Sequence, residues 1–171
     1  MGGLIALLNR HDQKFLHFLV TRRHRALDVL MRAITHLADP APAVLIVAAF
    51  TLSNRWQLVG QRGMFGLIVS HLLVQLLKRW CCRPRPALPA GIHSLVRAPD
   101  RFSFPSGHSA AAMSLALMAA AVLPFAFSLI VIVLAFGIGL SRCYLGVHYP
   151  GDVVAGWILA NIAYLAGSYL L

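Results

Sequence analysis

The stretch SAAAMSLALMAAAVLPFAFSLIVIVLAFGIGLS, residues 109–141, runs for 33 residues without a charge. A helix needs about 20 apolar residues to cross the hydrocarbon core of a bilayer, so the stretch is too long for one crossing. Pro124 stands near its middle, where it cannot continue a helix, and the economical reading is a tight helical hairpin. Ala112, Ala116 and Ala120 recur at a spacing that lets helices approach closely in lipid. This segment therefore assigns the chain to the all-α polytopic membrane class.

The rest of the chain extends that reading. Of the 171 residues, 59% are hydrophobic and 12% charged, against about 25% charged in soluble domains. A last span is predicted over residues 153–171, and an earlier one over 63–77 between Arg62 and Lys78. A further span is predicted over about 27–52, kinked or broken at Asp39-Pro40-Ala41-Pro42. Residues 4–20 carry Arg10, His11, Asp12 and Lys14 in their middle, which excludes a comfortable span. Leu4, Leu8, Phe15 and Leu19 recur there at helical spacing, so an amphipathic interfacial helix is expected. Residues 1–26 thus form an amphipathic, basic N-terminal segment, and residues 1–171 a single domain with five to six spans.

The formal net charge of +10 fits loops that meet anionic lipid headgroups better than it fits nucleic acid. Three cysteines make neither a paired disulfide framework nor a zinc pattern.

Three polar clusters stand at span ends. Lys78 and Arg85 are separated by six residues before Pro86; Pro105-Ser106-Gly107-His108 opens the hairpin; Ser141, Arg142, His148 and Asp152 close it. Ionisable groups beside a membrane core are costly and usually functional. Lys78, Arg85 and Arg142 can surround a group carrying several anionic oxygens, the requirement of phosphoryl transfer. The N–H groups of Ser106 and Gly107, at a helix start, suit the same anion. His148, with Asp152 four residues on, has the arrangement of an activated nucleophile, and His108 suits a general acid.

These three clusters resemble, in residue type, order and internal spacing, the signature of the type 2 phosphatidic acid phosphatase (PAP2) superfamily. The resemblance spans residues 78–152. It implies a metal-independent lipid phosphatase working through a phosphohistidine, with His148 as nucleophile, Asp152 as its partner and His108 as acid. Lys78, Arg85, Ser106, Gly107 and Arg142 would then bind phosphate. The implied substrate is a lipid phosphate or diphosphate, such as undecaprenyl diphosphate, phosphatidylglycerophosphate or phosphatidic acid. Two alternatives stay open: a phosphotransferase using a prenyl diphosphate donor, and a non-enzymatic carrier of phosphorylated molecules.

Other polar residues have plainer readings. Arg79 and Arg83 read as a basic flank, His93, Arg97, Asp100 and Arg101 as solvated loop, and His11, His17, His24 and His36 as interface residues. His71 is expected to hydrogen-bond a neighbouring helix, and Cys81 and Cys82 to be small apolar neighbours of the site. Thirteen of the fifteen Lys and Arg fall on the side of the three clusters, leaving Arg55 and Arg62 opposite. The positive-inside rule then favours a cytoplasmic site in a bacterial inner membrane.

Overall fold

The computed structural model describes residues 2–98 and 100–171, with side chains described from residue 9 onward. The helices among them are α1 Gly2–Thr21, α2 Arg25–Thr35, α3 Pro40–Leu52, α4 Gln57–Cys81, α5 Gly107–Ala120, α6 Phe125–Tyr144 and α7 Pro150–Leu170. A single 3-10 turn, His36–Ala38, separates α2 from α3.

The uncharged stretch is the α5–α6 hairpin. Pro124 is the N-cap of α6, so its ring, which has no N–H to give, sits where none is needed. Ala112 and Ala116 are buried against Ala135, Ile138 and Ala160, with small side chains bringing α5, α6 and α7 together. Ala120 is only half-buried. Two glycines mark close contacts of α7 with its neighbours. A Cβ on Gly156 of α7 would lie 2.5 Å from the Ser106 carbonyl oxygen, and one on Gly139 of α6 would lie 2.4 Å from the Trp157 ring.

Three helices, α4, α6 and α7, are long and apolar enough to cross a bilayer, and the α2–α3 pair, bent by 50°, makes a fourth if counted as one span. This falls short of the predicted five to six. The hairpin's first arm, α5, has only 14 residues because its start at Ser106 and its break before Pro124 lie close together. The bend arises because the residues before Pro40 cannot hold one helix through the proline pair. Leu45, Leu52, Ile68, Phe125, Ile130, Val133, Ile158 and Leu165 are exposed around the bundle. In water such a belt would drive aggregation, whereas lipid is its natural solvent. The chain is a membrane protein.

Two boundaries differ from the sequence reading. Helix α4 has 25 residues rather than 15, because Arg62 and Lys78 lie within it rather than at its ends. The helix stops where Cys82 turns into the left-handed region at φ 46°, followed by Pro84. In α1 the buried face is Leu16 and Val20, packed with Cys143, Tyr149 and Val153. Phe15, predicted on the apolar face, is exposed, and the side chains of Leu4 and Leu8 lie outside the described residues. Helix α1 therefore packs on the bundle through a strip that includes Asp12, Leu16 and Val20, one helical turn apart each.

Candidate active site

The polar clusters meet at one end of the bundle: the end of α4, the start of α5, the end of α6 and the start of α7. The long segment between α4 and α5 folds back on itself to reach them. The Ser103 N–H donates to the Arg83 carbonyl at 2.8 Å, and the Ser103 hydroxyl donates to the Pro84 carbonyl at 2.9 Å. This pairing brings Arg85 on one limb beside Asp100 on the other.

After α6 the chain reverses through Gly146, at φ +81°, where a Cβ would also meet Leu88 at 3.0 Å. Only glycine adopts that conformation without strain, and it turns His148 back toward Arg142, whose carbonyl accepts from the His148 N–H at 3.3 Å. The His148 side chain is 2% exposed and Asp152 fully buried. Arg85 Nη1 donates to His148 Nε2 at 2.9 Å. A guanidinium can only donate, so Nε2 carries the lone pair and Nδ1 the proton. Nδ1 faces Asp152 Oδ2 at 3.5 Å, an electrostatic contact just longer than a good hydrogen bond. Asp152 Oδ2 also accepts from the Tyr149 N–H at 2.8 Å, which fixes the carboxylate at the start of α7. Burial pushes the His148 pKa down to about 4, with Arg85 and Arg142 adding to the effect and Asp152 opposing it. At neutral pH the ring is therefore uncharged.

The three expected cations are buried together. Lys78 is 6% and Arg142 3% exposed. Lys78 Nζ donates to Asp100 Oδ2 at 2.6 Å, and Arg85 Nη2 to Asp100 Oδ1 at 2.9 Å. Arg142 Nη1 donates to the Thr35 hydroxyl at 2.8 Å, while its Nε has no partner among the described residues. Arg142 lies close enough to Arg85, His108 and His148 for the charges to interact. Ser106 is the N-cap of α5, its hydroxyl bound to Ser109 at 2.8 Å and its N–H donating to the Asp152 carbonyl at 2.9 Å. Of the two N–H groups expected to face an anion, the Ser106 donor is thus already engaged. The Gly107 N–H is left by helix geometry without an intrahelical acceptor.

His108 Nε2 donates to Asp39 Oδ1 at 2.9 Å, and His36 Nδ1 to Asp39 Oδ2 at 2.7 Å. His108 lines a cavity of about 300 Å³ whose other walls are mostly apolar, among them Ala38, Val44, Leu67, Ile68 and Leu72. A second cavity of about 540 Å³ opens beside Arg85, Ile92, His93 and Val147. Among the described residues no group of three or more His, Cys or acidic side chains is placed to hold a metal ion. The donor set is one for an anion.

Three plain readings are corrected, and a fourth residue, His36, gains a partner. Arg83 is not a free flank: it bridges Asp12 at 2.6 Å and Asp152 at 2.7 Å. Asp100 is not solvated loop but the counter-ion of Lys78 and Arg85. Burial would raise its carboxyl, yet those two cations hold it below the usual carboxylate range. His36 is tied to Asp39, and exposed His71 meets Gln75 of its own helix at 3.4 Å rather than another helix. The scarcity of acids in the sequence marks these acidic residues as a group, without naming the partner of each. The chain has only five acidic residues, and each binds a side chain at this end: Asp12, Asp39, Asp100 and Asp152 as above, and Asp28, which accepts from the Tyr144 hydroxyl at 2.7 Å.

Known proteins agree with the geometry. The profile of the PAP2 superfamily matches residues 63–170. Phosphatidylglycerophosphatase B of Bacillus subtilis is 33% identical over 153 residues, covering 81% of this chain and 72% of that protein. Decaprenylphosphoryl-5-phosphoribose phosphatase of Mycobacterium tuberculosis is 36% identical over 133 residues, covering 73% of this chain and 70% of that protein. The crystal structure of Aquifex aeolicus LpxE superposes with a TM-score of 0.81 at 25% identity, covering 91% of this chain and 93% of that one. The chain belongs to the PAP2 superfamily and is an enzyme that hydrolyses phosphate esters.

Proposed function

We propose that the protein is an integral-membrane lipid phosphatase acting on a lipid phosphate or diphosphate through a phosphohistidine. The observation that carries the lipid reading is that His108 lines a mostly apolar cavity between α3, α4 and α5. An in-line displacement puts the leaving group on the side of the acid, so an apolar leaving group fits that cavity. The named relatives act on lipid-linked phosphates, which supports the same class: phosphatidylglycerophosphate, phosphatidic acid or a prenyl diphosphate.

In this reading Lys78, Arg85, Arg142 and the Gly107 N–H take the phosphoryl oxygens; Arg85 and Lys78 leave Asp100 to do so, and Arg85 also releases the His148 Nε2 lone pair. The His148 Nε2 lone pair attacks phosphorus, the bond to the leaving oxygen breaks, and His108 gives that oxygen its proton. Asp152 stabilises the positive charge that forms on the phosphorylated ring. Neutral His108 then takes a proton from water, whose oxygen attacks phosphorus; the P–N bond breaks and inorganic phosphate leaves with His148 restored. Asp39 keeps His108 oriented in both steps.

We further propose five membrane-embedded segments, α2–α3, α4, α5, α6 and α7, with local bilayer thinning around short α5. The site then faces the cytoplasm, since the end of the bundle that holds it carries most of the basic residues.

The test is a quenched single-turnover reaction of the detergent-purified chain with radiolabelled phosphatidic acid. Acid-labile, base-stable label on the wild-type protein, absent from His148→Ala together with a loss of at least about 1,000-fold in kcat, is the expected result. Full turnover by His148→Ala would overturn the reading.

A further inference from the structure

Arg83 is not among the residues that the family pattern specifies, yet it joins α1 to the start of α7 at the site. Its side chain is 19% exposed. Nη1 donates to Asp152 Oδ1 at 2.7 Å; Nη2 donates to Asp12 Oδ2 at 2.6 Å and to Asn9 Oδ1 at 2.7 Å. The guanidinium also covers the Tyr149 ring at 4.1 Å. Asp12 closes the loop: its Oδ1 accepts from the Gly151 N–H, in the first turn of α7, at 2.9 Å. Helix α1 therefore reaches the nucleophile pair twice, through Arg83 and through the backbone that carries Asp152.

We infer that Arg83 is a positioning residue for the His148–Asp152 pair, and that α1, through Asp12 and Asn9, sets how much of the Asp152 charge reaches His148. The inference rests on His148 as nucleophile. The two Asp152 oxygens have separate partners: Oδ2 faces His148 and Tyr149, while Oδ1 is held by Arg83. A cation on Oδ1 fixes the carboxylate plane and weakens its pull on the His148 proton, and a carboxylate on that cation restores part of the pull. Burial alone would lower the Arg83 pKa, but Asp12 and Asp152 together carry it above its ordinary value, so its charge is constant. The groups facing His148 are Asp152 of α7, Arg85 of the preceding loop and Arg142 of α6. Lys78 of α4 also feels the Asp152 charge. Arg83 and Asp12 form the outer shell, and they carry opposite signs.

Those opposite signs define the experiment. Phosphate release from short-chain phosphatidic acid is followed across the acid and neutral range for the full-length chain and for Arg83→Gln, Arg83→Lys, Asp12→Asn and His148→Ala. Attack needs neutral His148, so the acidic limb of kcat reports its protonation. Arg83→Gln removes a positive charge and moves that limb to higher pH by about half a unit. Asp12→Asn removes a negative charge and moves it to lower pH. Both variants lower kcat about tenfold with little change in KM, because neither residue touches phosphate in this reading. Arg83→Lys keeps the limb in place while lowering kcat, since a point charge cannot hold three acceptors in one plane. Limbs that stay put, or move the same way in both variants, overturn the inference. Should Arg83→Gln not fold, Asp12→Asn decides alone: a limb shifted to lower pH supports the inference and an unshifted one overturns it. Turnover retained by His148→Ala would instead strike the phosphohistidine reading.

Discussion

His108 and His148 each face a carboxylate, but in opposite settings. His148 is sealed among cations with its Nε2 lone pair turned to Arg85, so the ring is free to attack once Arg85 moves onto phosphate. His108 lines a mostly apolar cavity with its Nε2–H on Asp39, so in the imidazolium form its Nδ1–H is the proton for a leaving oxygen. An acid matters most when the leaving group is poor. His108→Gln is therefore expected to lower kcat about 100-fold or more on an alkyl phosphate and far less on p-nitrophenyl phosphate. Asp39→Asn should show the same dependence at about a tenth of the size. Equal losses on both substrates would remove His108 from the acid role. The His148–Asp152 pair was legible in the sequence because one helical turn separates its members. The Asp39–His108 pair was not, because 69 positions separate them and only the bend before α3 brings them together.

Helices α5 and α7 meet where the site is built. The Gly156 Cα lies beneath the Ser106 carbonyl, and Ser106 in turn donates its N–H to the Asp152 carbonyl. A side chain at position 156 pushes the cap of α5 away from α7. Gly156→Val is expected to destabilise the fold by about 1–3 kcal/mol, read as a lower Tm in detergent, and to lower kcat in parallel. Gly137→Ala is the matched control, since its Cβ meets only Ile34 at 3.9 Å; its Tm should hold or rise. A Gly156→Val protein with unchanged Tm and activity would show that the α5–α7 contact can give way without cost. Helix existence was readable from hydropathy, whereas the true length of α4 was not. Lys78 looks like an end marker in sequence, and only its burial against Asp100 lets the helix run past it.

Across the whole molecule, charge is sorted by end. Asp39, Asp100 and Asp152 stand at one end with Lys78, Arg83, Arg85 and Arg142, and Arg55 and Arg62 stand at the start of α4. The native cysteines report which end faces which compartment: Cys81 and Cys82 are exposed beside the site, and Cys143 is fully buried. With a cytoplasmic site, a membrane-impermeant maleimide labels Cys81 and Cys82 in inverted vesicles and not in intact cells, and Cys143 in neither. Labelling in intact cells would place the site outside.

The sequence by itself determined the helical membrane class, the hairpin at Pro124 and the three clusters, because hydropathy, proline and short-range spacing act within a few helical turns. The tertiary structure alone decided the partners: Asp12 with Arg83, Asp39 with His108, and Asp100 with Lys78 and Arg85. Those pairs join segments far apart in the chain. Their reason is physical. A charge taken out of water needs a counter-charge wherever the fold can bring one, and with five aspartates for fifteen cations, each acid is placed where burial makes it count.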